Sequence, residues 1–214
     1  MSAAAQDPVQ VGWLGRVPYA WASRLQHLRR EAILAGRAPD VLWTLEHPAV
    51  VTLGRRGGEV DRVALAARGV EVVCTERGGL ATWHGPGQLV GYLLADLRRQ
   101  RCSVKGAVAA IEDGVIDWLA SQGCAAGRRY GSPGVWVGDN KICAVGLHVR
   151  KQVTMHGFAL LLDPPEGAFA GLVPCGVRDG GVTSLFAQTG QRTAAIEVAA
   201  SVGAAVVRRL HNQA

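Results

Sequence analysis

Between Arg77 and Tyr92 the chain reads Arg-Gly-Gly-Leu-Ala-Thr-Trp-His-Gly-Pro-Gly-Gln-Leu-Val-Gly-Tyr, and no other stretch restricts the possible folds as strongly. Five glycines (Gly78, Gly79, Gly85, Gly87, Gly91) in sixteen residues make a poor helix and a poor central strand. They suit a backbone that must take positive φ or lie close against a ligand. Pro86 fixes one dihedral and restricts the residue before it. Arg77, Thr82, Trp83 and His84 are the side chains such a loop would present, and a glycine-rich turn without a ligand is the bland alternative. A cation, paired glycines, a hydroxyl, an aromatic ring and an imidazole within eight residues favour a binding loop.

Around that loop the hydrophobic spacing alternates between helix and strand periods. Val11 to Leu14 reads as a strand, and Pro18 opens a helix to about Leu34, a place where proline costs no hydrogen bond. Asp40 to Glu46 and Val50 to Leu53 read as extended, followed by a second glycine-rich turn at Gly54-Arg55-Arg56-Gly57-Gly58. A short helix from Asp61 to Ala67 and a strand from Val70 to Thr75 deliver the chain into the central loop. Leu89 to Leu97 returns as a strand. Ser103 caps a helix whose apolar positions Val104, Val108, Ile111, Val115 and Leu119 recur at helical spacing until Gly123. Val135 to Val137, a Gly138-Asp139-Asn140 turn and Lys141 to Val149 form a hairpin. Thr154 to Leu162 pairs next, and a last helix runs from Thr193 to Leu210. The expectation is an α+β fold, one domain over residues 1–214 with a mixed β-sheet and flanking helices.

The chain has 214 residues, and 49% hydrophobic composition is ample for one large core. It has no apolar run long enough to span a bilayer and no charged-then-apolar leader, so the expectation is a soluble, cytoplasmic protein without a membrane partner. Five cysteines (Cys74, Cys102, Cys124, Cys143, Cys175), widely spaced and without a Cys-x-x-Cys pair, indicate neither a disulfide framework nor a cysteine zinc site. The formal charge of +6 comes from scattered arginine pairs and favours acidic partners. No nucleic-acid signature accompanies it. The bland reading of that charge is a solvated basic surface.

Two residues carry candidate chemistry. Cys175 lies between Pro174 and Gly176, at a turn that can present a thiol, whereas Cys74 and Cys143 read as small hydrophobes within apolar strands. Lys141 opens a strand whose alternation puts it on the face of Cys143, Val145, Leu147 and Val149. Either its stem bends out at the hairpin end, or it is desolvated, which lowers its pKa and makes it a base. An unperturbed thiol is only about 3% thiolate at pH 7. A nearby ammonium that lowered its pKa by about two units would make most of it thiolate, for about 2.7 kcal/mol. Such a pair suits covalent acyl transfer.

The glycine loop, Pro133-Gly134-Val135-Trp136-Val137 followed by Lys141-Ile142, His156-Gly157-Phe158-Ala159-Leu160, and Pro174-Cys175-Gly176 followed by Thr183-Ser184-Leu185 together resemble lipoyl(octanoyl) transferases. Glu46-His47-Pro48 and Thr52-Leu53-Gly54-Arg55-Arg56-Gly57 look like theirs too. The resemblance covers nearly the whole chain in the family's order. It implies a fold similar to the catalytic domain of biotin and lipoate protein ligases, and transfer of octanoyl, with lipoyl as a variant, from octanoyl-acyl carrier protein to a lysine of a lipoyl domain. The acceptors it implies are the lipoyl domains of 2-oxoacid dehydrogenase and glycine cleavage proteins, with no cofactor.

By motif position, Cys175 would be the acyl-thioester nucleophile and Lys141 the residue that lowers its pKa. Arg77, Gly78, Gly79, Leu80, Ala81, Thr82, Trp83 and His84, with Ala144, Val145, Gly146, Gly157, Phe158 and Ala159, would line the substrate site. Two positions depart from the family's pattern: Trp83 stands where tyrosine is usual, and Leu161 where asparagine often follows. The first removes a phenol and the second an amide. Rival readings are an ATP-dependent lipoate or biotin ligase, a cysteine acyltransferase acting between lipoyl proteins, and, in another class, a basic nucleic-acid-binding domain.

Overall fold

The computed structural model describes residues 7–172 and 180–212, and Cys175 lies outside them. Strand β1 (Gln10–Arg16), helix α1 (Tyr19–Leu34) and strand β2 (Val41–Glu46) open the chain as a parallel pair joined by a helix. Parallel strands require such a crossover. Then follow β3 (Val50–Leu53), α2 (Arg62–Ala67), β4 (Glu71–Cys74), β5 (Thr82–His84), β6 (Gln88–Leu94), α3 (Val104–Ser121), β7 (Gly127–Arg129), β8 (Ser132–Val137), β9 (Asn140–Arg150) and β10 (Val153–Leu161). The last described elements are β11 (Gly181–Val182), α4 (Leu185–Thr189) and α5 (Ala195–His211).

Among the described residues the strands make two sheets. The larger has the order β1-β2-β6-β10-β9-β8-β7, with β11 added parallel to β9, and is therefore mixed. The smaller has the order β4-β3-β5. Helices α3 and α5 cover one face of the large sheet, where Ile111, Val115 and Leu119 meet Val202, Val206 and Leu210 over Leu93, Phe158 and Leu160. Helix α1 covers the opposite face, setting Ala22 and Ile33 against Leu45, Leu94 and Met155. Val51, Leu65, Trp83 and Ala168 form a separate core under the small sheet. No described helix is long and apolar enough to cross a membrane.

Most expected elements are present, with ends set by local chemistry. The Ser103 hydroxyl accepts from Gly106 N at 3.0 Å and starts α3, and Asp61 does the same for α2 through Ala64 N at 2.9 Å. Three differences matter. Thr82 to His84, expected as loop, is a strand, because three residues suffice to pair with Val50 to Thr52. Val104 and Val108, expected on the core face of α3, are not among its buried positions, and Val104 is 44% exposed. Cys74, expected inside an apolar strand, is exposed at the end of β4.

Helices α3 and α5 approach so closely at Gly114 that an added Cβ would sit 2.5 Å from Val206 Cα. Alanine is the better helix former by about 1 kcal/mol, but overpacking costs about 1–3 kcal/mol. Gly114→Ala is therefore expected to lower the urea midpoint of unfolding. A raised midpoint would contradict the close crossing.

Candidate active site

The loop that dominates the sequence is stitched to both sheets. Its start is tied to the second glycine turn, with Arg55 N donating to Arg77 O at 3.0 Å and Arg56 N to Gly79 O at 3.2 Å. Gly78 N donates to Leu147 O, on β9, at 3.1 Å. That approach needs bare backbone on both sides, since a Cβ on Gly146 would lie 2.8 Å from Gly78 O. The loop's far end is held at Gly87, whose N–H donates to the Glu46 carboxylate at 3.0 Å and whose carbonyl accepts from Leu162 N and Asp163 N.

Between loop and large sheet lies a cavity of about 580 Å³, within the range of small-molecule sites. Arg77, Gly78, Gly79, Leu80, Thr82 and His84 line it from the loop. Ala144, Val145, Gly146 and Leu147 of β9, and Gly157, Phe158 and Ala159 of β10, line it from the sheet. Val104 and Val108 form part of its rim together with Arg129, Gly131 and Pro133, which explains why the first turn of α3 is apolar yet not in the core.

Lys141 stands in the wall of the cavity, only 7% exposed. Its Nζ donates to Pro133 O at 3.1 Å and lies 4.7 Å from the centre of the Trp136 ring. The stem does not bend out to solvent. From Lys141 to Leu147, the partner of His156, β9 advances six residues, or about 20 Å at strand rise. The cavity therefore runs from an ammonium at one end to an imidazole cluster at the other.

At that second end the loop's polar side chains form a closed network. Arg77 Nε donates to Thr52 Oγ1 at 3.0 Å and Nη2 to Thr52 O at 2.6 Å. The Thr52 hydroxyl lies 3.1 Å from His84 Nε2, and His84 Nδ1 lies 2.7 Å from Gln88 Oε1. Because Gln88 Nε2 donates to Trp83 O at 3.1 Å, the network assigns the His84 proton to Nδ1. His47 follows the same pattern, its Nδ1 donating to Val17 O at 2.6 Å and its Nε2 accepting from the Tyr92 hydroxyl at 2.7 Å. His156, with φ of 60°, is 2% exposed, and its Nε2 has no hydrogen-bond partner among the described residues.

Burial decides the charge state here. It lowers His47 and His156 to about 4 and takes His84 well below the usual imidazole range, with nearby Arg77 also lowering His84 and His156. The Tyr19 phenol, 7% exposed, is pushed up to about 12 by the same desolvation. At pH 7 this end of the cavity is a set of neutral rings around one buried guanidinium.

Strand alternation divides the expected loop residues. Thr52 pairs with Thr82 and Val50 with His84, so Thr82 and His84 face the cavity, while Trp83 packs with Phe169 in the core of the small sheet. Trp83 and Ala81, both buried, are not part of the cavity wall. The Trp83 departure from the family's tyrosine thus changes a core position, and Leu161 is likewise buried, opposite Gln88. Sequence reasoning assigned no role to Tyr19, Thr52, Gln88, Tyr92, Trp136 or His156. Apart from Tyr19, which opens α1, their common signal is a polar or aromatic residue within a strand, as Tyr92 is in Leu-Val-Gly-Tyr-Leu-Leu.

Known proteins resemble this chain in sequence and in fold. Residues 18–207 match the model of the lipoyl protein ligase A/B catalytic domain. An octanoyltransferase of Mycolicibacterium gilvum is 44% identical over 210 residues, covering 95% of this chain and 86% of the relative. One of Mycolicibacterium smegmatis is 43% identical over 208 residues, covering 94% and 89%. A bipartite lipoate protein ligase of Thermoplasma acidophilum, in a structural study that also treats its E2 lipoyl domain, superposes with a TM-score of 0.70 at 18% identity over 97% of this chain and 84% of that one. The expected mixed sheet with flanking helices is thus the ligase catalytic-domain fold.

The neutral histidines make stability depend on pH. An imidazole lowered to about 4 by folding stabilises fully above its unfolded value of 6.5, and that stability is lost as pH falls from 6.5 toward 4. Between pH 7 and pH 5 each of His47 and His156 should account for a loss of about 2 kcal/mol. Urea unfolding at the two pH values measures it, and, because His84 contributes as well, His47→Gln should remove about a third of the loss. Equal stability at both pH values would contradict the assignment.

Proposed function

The chain belongs to the lipoyl protein ligase A/B catalytic domain family, and we propose that it transfers octanoyl from acyl carrier protein to a lysine of a lipoyl domain through a thioester on Cys175. The observation that carries this reading is the buried Lys141 amine at one end of a cavity walled by the motif residues. After residue 179 the described chain resumes at Gly180, and Val182 pairs with Lys141, whose carbonyl accepts from Thr183 N at 3.0 Å. Cys175 therefore precedes, by a few residues, a segment bonded to the lysine's own strand, which supports a meeting of the two side chains.

In the first step the Cys175 thiolate attacks the carrier's thioester carbon. A new carbon–sulfur bond forms, the bond to the carrier's sulfur breaks, and the carrier leaves as its thiolate, which takes a proton from the Lys141 ammonium and leaves Lys141 as the neutral amine. Backbone N–H groups of a glycine-rich loop hold the developing oxyanion. Gly78 N–H is committed to Leu147 O, so other amides of the loop serve. In the second step the lipoyl-domain lysine attacks the acyl carbon, Cys175 leaves as thiolate, and the Lys141 amine takes the proton released. The thioester supplies the activation, so neither ATP nor a metal takes part.

Burial of the octanoyl tail at about 0.8 kcal/mol per methylene contributes roughly 5 kcal/mol. The apolar middle of the cavity, with Val145, Leu147, Val90 and Phe158 among its walls, suits such a tail. Basic Arg56 and Arg129 in the cavity wall complement an acidic carrier or lipoyl domain. The fold similarity to lipoate protein ligases keeps one competing reading, an ATP-dependent ligase, in view.

The test is the intact mass of the protein after incubation with octanoyl-acyl carrier protein in the absence of ATP, beside Cys175→Ser. The expected result is one octanoyl group on the native protein, removed by hydroxylamine, and none removable in that way on the variant. Absence of an adduct, with transfer appearing only on addition of ATP and free octanoate, would instead establish the ligase.

A further inference from the structure

A single peptide group joins the Lys141 ammonium to a buried carboxylate on another element. The carbonyl of the Pro133–Gly134 peptide accepts from Lys141 Nζ at 3.1 Å, and the N–H of the same peptide donates to Glu112 Oε1, on α3, at 2.7 Å. Glu112 and Lys141 are each 7% exposed. The second carboxylate oxygen of Glu112 accepts from Arg128 Nε at 2.9 Å, and Arg128 also holds Asp113 at 2.9 Å and Ala109 O at 3.0 Å. Every partner of this carboxylate therefore sits at the edge where β7 and β8 meet α3.

We propose that Glu112 is a positioning residue for the transfer reaction, acting on Lys141 through the Pro133–Gly134 peptide. The inference rests on the pairing of Lys141 with Cys175 proposed above. Gly134 has φ of 126° and no Cβ; an added Cβ would stand 2.5 Å from Cys143 O and 3.3 Å from Lys141 Cε. That vacancy lets the lysine stem pass, and it also leaves the peptide with little of its own to resist rotation. The Glu112 hydrogen bond supplies the missing constraint. It fixes the plane of the peptide, aims the carbonyl at Nζ, and polarises it, since hydrogen bonds in a chain strengthen one another in a low dielectric.

The Trp136 ring, 4.7 Å from Nζ and anchored by its own N–H to Ser132 O at 3.0 Å, closes a second side of the ammonium. With one N–H on the carbonyl and one side on the ring, the remaining N–H directions are set rather than free. Lys141 is thus held in one orientation by Pro133 and Trp136, which line the cavity, and through Pro133 by Glu112, which does not. Of these, Glu112 alone is both charged and remote.

The experiment follows alkylation of the Cys175 peptide by iodoacetamide as a function of pH, by mass spectrometry, together with steady-state octanoyl transfer. Glu112→Ala should raise the alkylation midpoint by about one pH unit and lower kcat about tenfold, one unit being a factor of ten, with KM for the carrier little changed. Glu112→Gln, which keeps an acceptor for Gly134 N–H, should recover most of both. Glu112→Asp keeps the charge for Arg128 but withdraws the oxygen, and should show the same raised midpoint and lowered kcat in a protein that keeps the ion pair. Wild-type alkylation and turnover in Glu112→Asp and Glu112→Ala would overturn the proposal, while the expected shift in Lys141→Ala would leave the cysteine–lysine reading standing. An alkylation midpoint unmoved by Lys141→Ala would overturn that reading and the proposal with it.

Discussion

The bond from Gly78 N–H to Leu147 O joins the glycine loop to the large sheet, and the cavity depends on it. Two backbones meet there without side chains between them, because residues 78 and 146 are both glycine. Arg77, one residue earlier, is thereby turned back onto Thr52 of the small sheet, where its guanidinium is buried and each of its three nitrogens donates a hydrogen bond. A charge so placed is tolerated because its donors are matched. The loop bridges the two sheets, and the apolar and polar walls of the cavity meet at that junction.

The two ends of the cavity differ in their polar groups. At the far end, burial removes charge from His47, His84 and His156 and keeps the phenols of Tyr19 and Tyr92 protonated. At the near end, the Lys141 amine is buried against a carbonyl and an indole, with a carboxylate one peptide away. An anionic sulfur would find the Lys141 ammonium at the near end, whereas an acyl tail would meet Val90, Val145 and Phe158 along the middle. Such a division suits a thioester whose reactive carbon and hydrocarbon differ so much in polarity.

Much of this was legible in the sequence. The helices and long strands were readable because their apolar spacing reflects burial on one face, and the cap at Ser103 was readable because a short oxygen-bearing side chain satisfies the first amides. The glycine loop stood out because bare backbone has few uses at such density, and the structure places it in the wall of a cavity. The side of β5 on which Trp83 falls was not legible, since it is fixed by pairing with β3, more than thirty residues away, and not by the local pattern. Glu112 was invisible for a related reason: on α3 it looks like a solvated charge, and only the fold brings Gly134 N–H to it. Cys175 itself was singled out by its Pro-Cys-Gly context and by family resemblance, and it lies outside the described residues.

The central claim is that an acyl group carried by Cys175 is a true intermediate and not a side product. Its most direct test is to isolate the octanoylated protein free of carrier, mix it with a lipoyl domain in the absence of ATP, and follow the octanoyl group by mass in a rapid-quench series. The account predicts loss of octanoyl from the protein and its appearance on the lipoyl-domain lysine at a rate no slower than steady-state turnover. An acylated protein that keeps its octanoyl group in the presence of the lipoyl domain, or yields it more slowly than turnover, would contradict the account.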